Sequence, residues 1–253
     1  MDLQTTKAFT LATYVLVLLL EAFAAALFSL RYGRNKPTGE NRRNFLLGTA
    51  AAFFALVFVG QAVWMYYNLV LTQWYQPSLF DQAANAFSVG QALVMGGFAF
   101  LLYLSERVAF GGRTRSALTI FFVAVIVVSL FPFPREVGEA LMFYTTVPAM
   151  GAPLLLWIYV GVKGVGSVRK QAILLTMGLL SLAVGMLTAV TTVNLSIATG
   201  LPLGEALPST VVLTPDQYVK MLLVYGVGYV FRIVGLILLI WGFTLAPPLV
   251  ERL

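Results

Sequence analysis

The sequence contains no cysteine and no histidine, and only 10% of its 253 residues are charged. The two missing side chains are the usual ligands of zinc, haem iron and iron–sulfur clusters, and they take part in Ser-His and Cys-His catalysis. Soluble domains carry about 25% charged residues. We therefore expect neither a soluble globular domain nor an enzyme, and we expect no metal site and no cofactor.

Hydrophobic residues make up 60% of the chain, and its mean hydropathy is +0.89. Seven apolar runs approach or exceed the roughly 20 residues that a helix needs to cross a membrane. Backbone polar groups in lipid must be hydrogen bonded within their own segment, so all seven runs are predicted to be helices. The runs cover residues 9–30, 44–71, 84–104, 116–131, 141–162, 172–198 and 219–245. The predicted fold is an all-α bundle of seven transmembrane helices that occupies residues 1–253 as a single domain.

Lysine and arginine are unevenly distributed between the two sets of loops. Twelve of the 16 follow the first, third, fifth and seventh runs, whereas Lys7, Arg135 and Lys220 lie on the other side. Because loops rich in these residues stay in the cytoplasm, we predict a multi-pass plasma-membrane protein with its N-terminus outside and its C-terminus inside. The net charge of +6 then indicates orientation and contact with lipid headgroups, not with nucleic acid. The residues predicted to form an aromatic belt at the outer end of the second run are Trp64, Tyr66, Tyr67, Trp74 and Tyr75.

The third and seventh runs repeat each other when they are aligned with a shift of 145 residues. Eight of twenty positions are then identical, at Val89/Val234, Gly90/Gly235, Leu93/Leu238, Gly97/Gly242, Phe98/Phe243, Leu104/Leu249, Glu106/Glu251 and Arg107/Arg252. The second and sixth runs align more weakly, with Arg42-Arg43 over Arg169-Lys170. We infer two parallel three-helix repeats, residues 1–108 and 137–253, joined by a linker helix at residues 116–133. Transporters built from such repeats place the substrate between them, near the middle of the membrane.

Two ionisable residues lie about halfway through predicted membrane helices, Glu21 in the first and Arg232 in the seventh. A charge at the centre of the bilayer costs at least roughly 2.5–3.5 kcal/mol, so each residue needs a partner. Since both lie at similar depth, we predict an ion pair between them, which is either a structural clamp or a site for a charged ligand or a proton. The other polar side chains expected to line this site are Gln61, Gln91, Thr188, Tyr225 and Tyr229.

The fifth run contains Pro148, Gly151 and Pro153. A proline inside a helix removes a backbone hydrogen bond and bends the helix. The pattern predicts either a simple kink or a broken helix of the kind that forms binding sites in transporters.

The pairs Glu106-Arg107 and Glu251-Arg252 occupy equivalent places just beyond the third and seventh runs. Their repetition predicts matched contacts at the inner face. These contacts are either structural staples or parts of a gate.

Microbial rhodopsins are similar to this sequence in length and topology. They bind retinal through a lysine in the middle of the seventh helix, where this sequence has Arg232. We therefore expect neither retinal nor haem.

Three functions from different classes fit the sequence. The first is a transporter of small solutes or ions with a polar site between the two repeats. The second is a seven-helix sensor or receptor that signals through a partner, because only short loops face the cytoplasm. The third is a non-catalytic subunit of a larger membrane complex. Besides lipid, the candidate partners are therefore other membrane subunits or further copies of the chain.

Overall fold

The computed structural model describes residues 2–35, 41–110, 116–131, 135–203, 205–206 and 211–245. Within these ranges the chain forms eight α-helices and no β-strand, so the all-helical prediction is confirmed. The helices are α1 (Leu3–Asn35), α2 (Asn41–Tyr66), α3 (Ala84–Phe110), α4 (Ala117–Ser129), α5 (Arg135–Lys163), α6 (Gly166–Leu187), α7 (Thr191–Thr199) and α8 (Pro215–Thr244). A π-helical turn, Tyr67–Leu71, extends α2, and a 3-10 helix, Pro77–Ala83, precedes α3.

Five helices in the described part of the chain are long and apolar enough to cross a membrane: α1, α2, α3, α6 and α8. Helix α4 and the segment Met150–Lys163 of α5 are also apolar but shorter. Large apolar side chains are exposed on the outer faces of several helices, among them Leu19 on α1 and Phe121 on α4. The fold is therefore compatible with an integral membrane protein, and the number of crossings stays a prediction.

Helix α8 begins at a capping box. The Thr214 hydroxyl accepts a hydrogen bond from the backbone N–H of Gln217, and the Gln217 side chain accepts one from the backbone N–H of Thr214. Pro215 occupies the first helical position, where its missing N–H costs nothing. This capping box fixes the start of the helix that carries Arg232.

The sixth predicted run is not one helix, because α6 ends at Leu187 and α7 begins at Thr191. In a continuous α-helix the Gly185 carbonyl would accept the N–H of Ala189. Here the N–H of Ala189 bonds instead to the Met186 carbonyl at 3.0 Å. Helix α5, in contrast, runs without interruption from Arg135 to Lys163. The prediction of a broken fifth helix is therefore wrong, and the break lies in the sixth run.

The helices form a closed ring in which each contacts the next in the order α1, α2, α3, α5, α6, α8 and back to α1. Helix α4 packs against α3 and α5, and α7 packs against α8. Helices α1 and α8 run parallel and in register. The Tyr14 ring stacks on Tyr229 at 4.3 Å, and Phe28 meets Phe243 edge-on at 5.8 Å, both pairs with an offset of 215 residues.

Glycines allow close approach at two seams of the ring, one between α2 and α3 and one between α6 and α8. A Cβ added at Gly60 would lie 2.7 Å from the Gly90 carbonyl oxygen, and one at Gly235 would lie 2.8 Å from the Gly178 carbonyl oxygen. Backbones at such distances leave no room for a side chain. The glycines that repeat in the third and seventh runs, Gly90 and Gly235, are thus used for helix packing.

The contacts of the two seams correspond pair by pair. The matching pairs are Gly60–Val94 with Gly178–Leu239, Gly90–Trp64 with Gly235–Leu182, and Gly97–Val57 with Gly242–Leu175. The shift from α3 to α8 is 145 residues in each pair, as in the sequence alignment. The shift from α2 to α6 is 118 residues, so the alignment of Arg42 over Arg169 is not the register of the packing.

Candidate functional site

A polar cluster lies at the junction of α1, α2, α6 and α8. On α1 the buried face is formed by residues at spacings of three and four: Tyr14, Val17, Glu21, Ala24 and Phe28. Glu21 and Arg232 are each only 2% exposed. At 1.5 Å per residue, Glu21 lies about 27 Å from the start of α1 and Arg232 about 25 Å from the start of α8. Both charges are therefore deep within the bundle.

Arg232 is held by polar groups of two other helices and by a ring on its own helix. Its Nε donates to the Gly185 carbonyl of α6 at 3.1 Å, and its Nη1 donates to Gln61 Oε1 of α2 at 3.2 Å. The guanidinium carbon lies 5.1 Å from the centre of the Tyr229 ring, at cation–π distance. Because the last carbonyls of a helix carry partial negative charge, the broken end of α6 is a suitable partner for this cation. The remaining nitrogen, Nη2, is buried without a hydrogen-bond partner.

Glu21 and Arg232 do not form the predicted ion pair in the described structure. Glu21 Oε2 is buried without a hydrogen-bond partner, although the Arg232 charge acts on this carboxyl through space. The in-register packing of α1 and α8 explains the separation. It places Arg232 level with Val17, one turn before Glu21, and helical side chains lean toward the N-terminus of their helix. The Arg232 side chain therefore extends away from Glu21.

Four tyrosines, here called the tyrosine cluster, continue the site toward the start of α8: Tyr14, Tyr75, Tyr225 and Tyr229. The Tyr14 hydroxyl donates to the Gln61 backbone carbonyl at 3.0 Å and lies 3.3 Å from Gln61 Oε1. The hydroxyls of Tyr75 and Tyr229 are 2.6 Å apart, and the ring of Tyr75 stacks on that of Tyr225 at 4.2 Å. The cluster thereby links α1, α8 and the loop after α2.

Tyr75 reaches this position through a strained backbone. Gln73, Trp74 and Tyr75 all have positive φ angles, of 46°, 67° and 63°. Such left-handed conformations cost about 1–3 kcal/mol each in residues other than glycine and persist only where the surroundings enforce them. Here the backbone N–H of Tyr75 donates to the Asn68 carbonyl within the π-helical turn, at 2.9 Å. Burial raises the pKa of Tyr75 well above its ordinary value, so its hydroxyl keeps its proton.

A cavity of about 580 Å³ opens between the N-terminal ends of α1 and α8, and we call it the α1/α8 cavity. Its lining includes Asp2, Asp216 and Tyr218. The Tyr218 hydroxyl donates to the backbone carbonyl of Trp74, the residue before Tyr75. The cavity therefore adjoins the tyrosine cluster.

Most of the residues predicted from the sequence meet in this site. Gln61, Tyr229 and Arg232 are in direct contact, and Tyr225 stacks within the tyrosine cluster. The Thr188 hydroxyl donates to the Gly185 carbonyl at 2.9 Å, the same oxygen that Arg232 binds. Gln91 is buried on α3.

Sequence reasoning missed Tyr14 and Tyr75. Tyr14 lies seven residues before Glu21, and this helical spacing is the signal that could have placed it on the same face. Tyr75 was assigned to an aromatic belt. In the structure Trp64, Tyr67 and Tyr75 are buried, and Tyr66 is the belt residue with a widely exposed ring. The belt prediction is therefore wrong for these three residues.

Glu106 joins α3 to α4 through hydrogen bonds. Its carboxylate accepts hydrogen bonds from the backbone N–H groups of Leu118 and Thr119, at 3.1 and 2.9 Å, and from the Thr119 hydroxyl. It thus caps the N-terminus of α4, where a negative charge is favoured. Arg107 is exposed and donates from Nε to the Tyr103 hydroxyl at 3.1 Å. The predicted counterparts Glu251 and Arg252 lie outside the described residues.

No protein-family model, no curated protein and no solved structure matches this chain. Its class therefore follows from the fold and the site alone. The chain is an all-helical protein, compatible with an integral membrane protein, with a charged and aromatic cluster buried at the junction of four helices.

Proposed function

We propose that this protein is a transporter of a small solute or an ion in the plasma membrane, and that its site is the cluster around Glu21, Gln61, Arg232 and Tyr229. The observation that carries the proposal is the state of the two buried ionisable residues. They do not bond to each other, and Glu21 Oε2 and Arg232 Nη2 are left without partners.

The cost of buried charge favours a functional role over a clamp. A clamp between two helices is most stable when the two charges bond to each other directly, because each unsatisfied polar atom in an apolar interior costs free energy. This site instead offers one free acceptor and one free donor. Ionisable groups within membrane helices usually belong to pathways for substrates, ions or protons.

The order of helices in the ring supports a site between two repeats. If residues 1–108 and 137–253 are equivalent units, α1 and α8 lie at one junction between them, and α3 and α5 lie at the other. The paired glycine contacts support this division, with 116–133 as the linker. The polar cluster lies at the α1/α8 junction, which is where transporters built from parallel repeats hold their substrates.

The test is transport by the purified chain in liposomes. Uptake of a panel of small cations, anions, sugars and amino acids is measured under imposed pH gradients and membrane potentials. We expect at least one solute or ion to be taken up by the wild-type protein and to be lost with Glu21→Gln and Arg232→Gln. Glu205→Gln and Arg107→Gln, which change exposed residues, serve as matched controls and should transport normally.

Absence of uptake across the whole panel would reject the transporter, and so would unchanged uptake by both site variants. In either case gentle extraction from the native membrane becomes informative. Stoichiometric protein partners in the extract then indicate a subunit of a larger complex or a sensor that signals through a partner.

A further inference from the structure

We propose that Glu21 is a proton-binding site that exchanges protons with the α1/α8 cavity through tyrosine hydroxyls, and that its protonation decides whether Arg232 holds the end of α6. This inference rests on the proposed function and adds the proton as the coupling ion.

The surroundings of Glu21 suit the uncharged acid. The ionisable groups that act on it are Tyr14 on its own helix and Arg232 on α8. Of these, only Arg232 carries a charge, and its guanidinium is engaged by Gly185 and Gln61. A carboxylate buried with a free Oε2 is costly, whereas a carboxylic acid carries no charge that needs a partner. The arrangement is therefore the one expected for the protonated state.

Loss of the proton would draw Arg232 toward Glu21. The two residues are one turn apart along the parallel helices, about 6 Å, which an arginine side chain spans by changing its rotamer. The guanidinium would then leave the Gly185 carbonyl and Gln61. This carbonyl would be free to accept the N–H of Ala189, so that α6 could continue through the break before α7. Protonation of one carboxyl would thus control the shape of the α6–α7 segment.

The tyrosine cluster supplies the path for the proton. A hydroxyl both donates and accepts hydrogen bonds, so adjacent hydroxyls can pass a proton on. From the cavity, Tyr218 contacts the carbonyl of Trp74, and the hydroxyl of Tyr75 lies 2.6 Å from that of Tyr229. Tyr229 stacks on Tyr14, whose hydroxyl reaches Gln61 next to Arg232. Glu21 Oε2 is not hydrogen bonded to these hydroxyls, so water completes the path: the released proton passes from Oε2 to water, and no bond other than O–H is broken.

The experiment is infrared difference spectroscopy of the full-length protein in lipid, with pH steps in both directions. A protonated carboxyl has its own carbonyl stretch, which disappears when the proton leaves. We expect a titrating band that Glu21→Gln removes, that Glu21→Asp moves to another frequency, and that the exposed control Glu205→Gln leaves unchanged. In Arg232→Gln the band should titrate at a different pH, because the nearby charge is gone.

The path is tested by the rate at which this band shifts after transfer to D₂O. Tyr229→Phe, which removes one hydroxyl, should slow the exchange at least about tenfold, and Tyr66→Phe, an exposed tyrosine, should not.

A wild-type spectrum without a titrating band that depends on Glu21 overturns the proposal. If the Glu21 band titrates at the same pH in Arg232→Gln as in the wild type, the coupling between Glu21 and Arg232 is wrong. If the band shifts in D₂O at the same rate in Tyr229→Phe, the path through the tyrosine hydroxyls is wrong. None of these readings requires flux. The proton site can therefore fail while transport holds, and transport can fail while the proton site holds.

Discussion

The sequence predicts the Glu21 carboxylate as the partner of Arg232. In the structure Arg232 is stabilised instead by the Gly185 carbonyl, the Gln61 side chain and the Tyr229 ring. Lysine keeps the charge but lacks the planar fork that reaches Gly185 and Gln61 together. We expect Arg232→Lys to lower the free energy of unfolding by about 2–4 kcal/mol, since two buried charge-assisted hydrogen bonds are lost. Thermal denaturation of the purified protein in detergent measures the effect.

The matched control is Arg107→Lys, because Arg107 is exposed and contacts only Tyr103 among the contacts described above. An exposed pair of this kind contributes less than about 1 kcal/mol. Equal losses of stability in the two variants would contradict the view that Arg232 is anchored by α6 and α2.

Glu106 provides a second residue-scale prediction. In Glu106→Ala the N–H groups of Leu118 and Thr119 lose their acceptor, which should cost about 1–3 kcal/mol. Hydrogen exchange followed by mass spectrometry should show faster exchange in the first turn of α4. Glu205→Ala, at an exposed carboxylate, should leave that turn unchanged. Protection of α4 that persists in Glu106→Ala would show that another group caps the helix.

A single residue of the site could be predicted from the sequence when its side chain is unfavourable in lipid. Glu21 and Arg232 stand out because a charge is rare inside an apolar run. Tyr75 does not, because a tyrosine near the end of a run is equally typical of a membrane interface. Its burial depends on the left-handed backbone conformations of Gln73, Trp74 and Tyr75, and no local sequence pattern predicts these conformations.

At the scale of elements, the positions of helices followed from apolar runs, but the break between α6 and α7 did not. The residues at the break, Thr188, Ala189 and Val190, are ordinary within a membrane helix. The break is stabilised by the Arg232 guanidinium on the Gly185 carbonyl, 47 residues away in sequence. A proline, by contrast, is a clear sequence signal for a kink or a break, yet α5 continues past its prolines. Tertiary contact thus outweighed local preference at the end of α6.

The glycine seam between α6 and α8 leads to an element-scale prediction. A methyl group at Gly235 would lie 2.8 Å from the Gly178 carbonyl and 2.9 Å from the Leu182 backbone nitrogen, so the helices would have to separate. We expect Gly235→Ala to destabilise the protein by about 1–3 kcal/mol. At Gly151 nothing lies within 4 Å of an added Cβ, so Gly151→Ala should be neutral or stabilising by up to about 1 kcal/mol.

Thermal denaturation of both variants tests this prediction, because the same substitution is made in two different helices. Similar midpoints for Gly235→Ala and Gly151→Ala would mean that the α6–α8 seam is looser than its contacts indicate.

At the scale of the whole molecule, the predicted pairing of Glu21 with Arg232 requires the first and last membrane helices to be neighbours, and α1 and α8 are in contact. It could not supply the rotation of each helix about its axis. That rotation decides that Arg232 faces Gly185 and Gln61, while Glu21 Oε2 is left without a hydrogen-bond partner. Hydrophobic composition is nearly uniform around these helices, so the sequence contains little information about the rotation.

The absence of cysteine permits a clean test of orientation by single-cysteine labelling in intact cells. Asp2 and Asp216 line one cavity, so both must lie on the same side of the membrane. Arg34 and Lys163 are exposed in the last turns of α1 and α5, next to loops rich in basic residues. With a maleimide that cannot cross membranes, we expect Asp2→Cys and Asp216→Cys to react in intact cells, and Arg34→Cys and Lys163→Cys to react only after permeabilisation.

The reverse pattern would invert the predicted orientation and make the α1/α8 cavity an opening to the cytoplasm. Labelling of Asp2→Cys without Asp216→Cys would contradict the parallel packing of α1 and α8 itself.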